Sequence, residues 1–128
     1  MSLNLTERPV TVFLATTDAD AAEAFYVDIL GLRKIEDSAF ALVLAADGVE
    51  IRLSKVERFD PLPFTVLDWQ VADVKVSSAA LVKRGVEPLI FDGMDQDETG
   101  IWTTPDGSSK IFWFHDPDRN VLSISQRS

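Results

Sequence analysis

Apolar and polar positions change period along the chain, and the whole pattern then occurs a second time. Residues 11–17, TVFLATT, are β-branched and aromatic, the composition of a strand. The period then lengthens: Ala21, Phe25 and Ile29 recur every four residues, with Ala22 between, so a helix here has one apolar face. Thr17 or Asp18 would cap it, because a side-chain oxygen there accepts from the free N–H groups of the first turn, and Gly31 supplies the left-handed residue that ends it. Short strands follow in AFALVLAAD (39–47) and VEIRLS (49–54), joined around Asp47 and Gly48, a dipeptide that favours a hairpin turn.

The order repeats from Val66. VLDWQVA (66–72) is a strand, Asp73 a cap, DVKVSSAALVKRGV (73–86) a helix with Lys83 and Arg84 near its negative end, and Gly85 its stop. Strands in GIWTTP and KIFWFH then flank Asp106 and Gly107. Asp73 follows Asp18 by 55 positions, and Val66 follows Thr11 by the same interval. Two copies make a duplication rather than a solenoid. The expectation is an α+β chain, βαβββ twice, with modules at about 9–55 and 64–126 and a connector at 56–63 punctuated by Pro61 and Pro63. The acidic, glycine-containing stretch 91–100 reads as a mobile lid or as a plain solvated loop.

Strand alternation sorts side chains into two faces. Leu67, Trp69 and Val71 face one way, with Val66, Asp68 and Gln70 opposite; Val49, Ile51 and Leu53 oppose Glu50, Arg52 and Ser54; Leu122 and Ile124 oppose Val121, Ser123 and Ser125. Large aromatics share the polar face, Phe13 in the first module and Trp113 in the second. Rings mixed with polar groups suit a ligand pocket or an interface better than bulk water.

Composition narrows the chemistry. With 128 residues, 46% hydrophobic and 26% charged, the chain is an ordinary single globular domain in size. It has no cysteine, which excludes disulfides, thiolate nucleophiles and zinc–thiolate sites. A net charge of −9 disfavours nucleic acid and mildly favours a cationic or neutral ligand. No apolar run is long enough for a membrane span and no secretory leader is evident, so a cytoplasmic protein is expected. The one histidine, His115, precedes the turn Asp116, Pro117, Asp118; a half-exposed imidazole bonded to that turn is expected rather than a metal ligand.

TTDADAAEAFYVDILGL in the first half and FWFHDPDRNVLSISQ in the second resemble the vicinal oxygen chelate superfamily of glyoxalase I, extradiol dioxygenases and bleomycin-resistance proteins. The resemblance covers nearly the whole chain. It implies a concave mixed sheet with helices on its outer face, a homodimer, and, in the enzymes, a divalent metal held by His or Glu/Gln from four strands. Those ligand positions fall on Thr11, Arg52, Val66 and Ser123, a set unsuited to a catalytic metal, so no metal and no cofactor are expected. Arg119 stands where the family usually has glycine. The expectation is a small-molecule binding protein like metal-free bleomycin-resistance members. Phe13, Arg52, Asp68, Gln70, Trp102, Trp113 and Ser123 would contact a small organic ligand, cationic or aromatic by preference, with Asp68 and Arg52 orienting its polar groups or pairing with each other when the site is empty. The alternative is a lyase, isomerase or oxidoreductase relative, with Asp68 or His115 moving a proton and Arg52 steadying an enolate or carboxylate.

Overall fold

The computed structural model describes residues 3–128. The chain divides between Phe59 and Asp60, inside the connector, into two compact units.

The first unit runs β1 (Thr11–Thr16), α1 (Ala19–Glu23), β2 (Arg33–Asp37), β3 (Ala41–Ala46) and β4 (Val49–Lys55). Its sheet has the order β1-β4-β3-β2, with β1 parallel to β4 and the other pairs antiparallel. Asp18 caps α1 by accepting from the Ala21 N–H, which decides between the two expected caps. Beyond Glu23 the helix widens into a π-helical stretch, Ala24–Ile29, where Leu30 N–H reaches the Phe25 carbonyl. Gly31, at φ 83, then closes it. Leu42, Leu44, Ile51 and Leu53 point to one side of the sheet, and with Ala22, Phe25 and Tyr26 they form the buried core. Burying each large side chain contributes roughly 1.5–3 kcal/mol, which is why alternation sets the register. At the β3–β4 hairpin both Asp47 (φ 45) and Gly48 (φ 80) have positive φ, as the favoured two-residue turn requires.

The second unit repeats the order: β5 (Thr65–Gln70), α2 (Val74–Lys83), β6 (Ile101–Thr103), β7 (Ser109–His115) and β8 (Val121–Arg127), with sheet order β5-β8-β7-β6. Asp73 caps α2 through the Lys75 and Val76 N–H groups. Phe112, Phe114, Leu122 and Ile124 form the buried face with Val74 of α2. The β6–β7 hairpin is wider than its Asp-Gly dipeptide led us to expect. Asp106 accepts from Ser108 N–H, Ser108 Oγ and Thr104 Oγ1, which brings its carboxyl down to about 2.

Stretch 91–100 is tied down by two of its own side chains, Asp97, which accepts from the Thr99 and Ile101 N–H groups, and Gln96. Gln96 accepts from Phe91 N–H at 2.8 Å and donates to the carbonyls of Leu89 (3.0 Å) and Gly100 (2.8 Å). Leu89 N–H also bonds the Trp113 carbonyl, so the loop is stitched to β7. Gly100 has φ +92, and a Cβ there would lie 2.9 Å from Pro88 Cβ.

Candidate functional site

On the face of the second sheet away from α2, pairing aligns two rows of side chains. Asp68 on β5 sits opposite Ser123 on β8, which sits opposite Trp113 on β7. Beside that row run Gln70, Ser125, Ile111 and Trp102, the last on β6. Neighbours across a sheet point the same way, so alternation alone brings five of the seven expected residues to one surface.

Hydrogen bonds make this row a built feature. Ser123 Oγ donates to one oxygen of Asp68 at 2.6 Å and Ser125 Oγ donates to the other at 2.7 Å. Both serines are buried, whereas Asp68 is exposed. The distances suit hydroxyl-to-carboxylate bonds, and two of them hold the carboxyl plane in one orientation. Asp68 therefore takes two serine hydroxyls of its own sheet.

The aromatic part is equally ordered. Trp113 is only 9% exposed. Its Nε1–H donates to Thr65 Oγ1 at 3.0 Å, its ring meets Phe91 edge-on at 5.3 Å, and Trp102 lies tilted at 6.0 Å. Trp113 is thus a back wall, and half-buried Trp102 offers the more accessible ring. Thr65 reaches Trp113 because β5 has a bulge between Thr65 and Leu67, which sets Thr65 opposite Val121. The strict alternation that puts Val66 on this face therefore fails at that point. Thr65, Ser125 and Phe91 were missed as site residues. Ser125 was legible from its spacing to Ser123, the bulge hid Thr65, and no periodicity reaches Phe91 in its loop.

In the first unit, Phe13 and Arg52 are cross-strand partners. The Arg52 guanidinium carbon lies 5.8 Å from the ring centroid of Phe13, a ring 67% exposed. A stack this open contributes about 0.5–1 kcal/mol.

His115 faces Val121, one row beyond Ser123. The turn after it is bonded by Asp116, which accepts from Asp118 N–H, Asn120 N–H and Asn120 Nδ2, so the hydrogen bonding expected of the imidazole belongs to its neighbour. Burial first, then the Arg119 charge, holds His115 below its ordinary value, against an opposite pull from Asp116. Two hollows, about 410 and 390 Å³, lie on the α2 side of the sheet. The larger mixes Lys75 and Lys110 with Asp73, Asp97 and Glu98, so its lining favours no one ligand charge.

The metal positions implied by the resemblance do not fit a divalent ion. Val66 has no donor, Arg52 brings a cation, and the Ser123 hydroxyl is given to Asp68. Among the described residues no three His, Asp or Glu side chains group closely enough to hold one. No helix of the described residues is long and apolar enough to cross a membrane.

No family profile and no curated protein matches the chain in sequence. Solved structures do match in fold. TnmS3, an antibiotic binding protein from Streptomyces, superposes with a TM-score of 0.73 at 24% identity, covering 100% of this chain and 99% of its own. A member of the glyoxalase/bleomycin resistance protein/dioxygenase superfamily from Sphaerobacter thermophilus gives 0.71 at 19% identity, over 93% and 96% of the two chains. A glyoxalase/bleomycin resistance protein/dioxygenase from Alicyclobacillus acidocaldarius gives 0.68 at 18%, over 94% and 92%. The chain has the fold of that superfamily, built from two tandem modules.

Proposed function

We propose that this chain, with its glyoxalase/bleomycin-resistance fold, is a small-molecule binding protein that takes a flat organic ligand on the second module's sheet. The observation carrying the reading is the row Asp68–Ser123–Trp113, in which buried hydroxyls orient an exposed carboxylate beside packed indoles. Such a surface positions a ligand. Ser123 and Ser125 each donate a hydrogen bond to Asp68, and no imidazole stands between hydroxyl and carboxylate as nucleophilic catalysis would need. The antibiotic-binding role of TnmS3 supports the same reading by likeness of fold. Phe13 and Arg52 belong to the proposal as a second contact surface on the first module. We also place the protein in the cytoplasm, on its cysteine-free composition, and propose a homodimer, supported by exposed apolar side chains such as Phe40 and Phe13; sedimentation velocity tests the latter, and a monomer at micromolar concentration refutes it.

The test of binding uses the indole N–H signals of the three tryptophans. Trp102 and Trp113 lie on the candidate face, and Trp69, on the opposite side of β5, is an internal control. A panel of bicyclic aromatic probes should move the Trp102 and Trp113 signals and leave Trp69 in place, and Trp102→Ala should weaken the effect. Unmoved Trp102 and Trp113 signals across the panel would refute the reading.

A further inference from the structure

We infer that the ligand of this surface is an organic cation, an aromatic or alicyclic amine or amidine whose positive group seats on Asp68; the inference rests on the binding reading above.

Three observations combine. The first is geometric: both oxygens of Asp68 already accept a hydroxyl, at 2.6 and 2.7 Å, from serines that are themselves buried. Each carboxylate oxygen has a second lone pair, and with the carboxyl plane held these remaining acceptor sites point in set directions. An ammonium or amidinium can take them without displacing the serines. The second is electrostatic. Lys34 pairs with Glu23 and Lys55 with Asp37, and the partners of Asp68 are serine hydroxyls, with no lysine or arginine among the described residues of its own unit paired to it. The side chains that share its rows are hydroxyls, an amide, an isoleucine and two indoles, none of them cationic. A net charge of −9 draws cations towards the chain. The third is the aromatic wall. An indole face is attractive to a cation and to a flat ring alike, so Trp102 suits the body of such a ligand or its charged end.

The charge preference has a chemical consequence. An anionic or phosphorylated molecule of the same shape would meet Asp68 head-on, and a neutral alcohol would gain a hydrogen bond without the charge. Discrimination should therefore fall in the order amine, alcohol, carboxylate, and it should reside in one side chain.

The experiment titrates 2-naphthylethylamine, 2-naphthaleneethanol and 2-naphthaleneacetate separately at neutral pH, reading the Trp102 and Trp113 indole signals. The amine should bind about tenfold more tightly than the alcohol, the carboxylate should bind weakest, and Asp68→Asn should bring amine and alcohol to parity. Asn keeps the shape, and an unmoved Trp69 signal reports that the variant is folded. Should the variant not fold, salt supplies the same readout in the wild type. Going from about 0.05 to 1 M NaCl shortens the screening length from over 10 Å to about 3 Å, so it should weaken the amine selectively. Alcohol and amine binding equally, or a salt-independent preference, overturns the cation inference while leaving the binding surface standing. Failure of all three probes to move either signal overturns the binding reading itself.

Discussion

Arg119 offers the sharpest test of how the structure was assembled. Its φ is 70, in the left-handed region, where an L side chain is strained by about 1–2 kcal/mol and glycine is not. Arg119→Gly relieves that strain but loosens the unfolded chain by about 0.4–1 kcal/mol, leaving a net gain of roughly 0.5–1 kcal/mol. The turn should survive, because Arg119 contributes its backbone N–H to the Asp116 carbonyl at 3.0 Å and glycine retains that donor. For a chain this long the gain corresponds to a rise of about 2–4 °C in Tm. A pH dependence accompanies it. Burial and the Arg119 charge hold the folded His115 below its unfolded value of 6.5, so its neutral form contributes stability above 6.5 that is lost as pH falls through the folded pKa. Removing the Arg119 charge raises that folded pKa and lessens the loss. The Tm gain of Arg119→Gly should therefore be larger at pH 5 than at pH 8, and the His115 Cε1 proton should titrate at higher pH in the variant by NMR. An unchanged or lower Tm at pH 8 refutes the strain argument, and a gain independent of pH refutes the electrostatic coupling.

Two further substitutions probe the loop that carries Phe91. Gly100→Ala forces a Cβ to 2.9 Å from Pro88 at a φ of +92, so chemical denaturation should show a loss of at least about 1–3 kcal/mol; a neutral result would show that the loop repacks. Gln96→Ala leaves Phe91 N–H and the Leu89 and Gly100 carbonyls without their partner, which should lower stability by about 1–3 kcal/mol, accelerate exchange of the Phe91 amide and shift Trp113 fluorescence as the Phe91 ring departs. Protection of that amide equal to wild type would mean that the Leu89 bond to β7 suffices alone.

Local chemistry made much of the fold legible. Asp18 and Asp73 cap their helices because a short acceptor before an apolar repeat has few other uses, and Asp47 with Gly48 forms the tight turn because both can take positive φ. The period of two placed Asp68, Ser123 and Trp113 on one face before any contact was known. What only the tertiary structure decided depends on partners distant in sequence. The bulge that turns Thr65 towards Trp113 breaks the alternation. Gln96 could be assigned to its loop only once Leu89, Phe91 and Gly100 were close enough for one amide to bond all three. Asp68 meets Ser123 and Ser125 because parallel pairing of β5 with β8 puts hydroxyls from 55 and 57 residues away within reach of its carboxyl. Periodicity determines which way a side chain faces; strand pairing determines what it meets there.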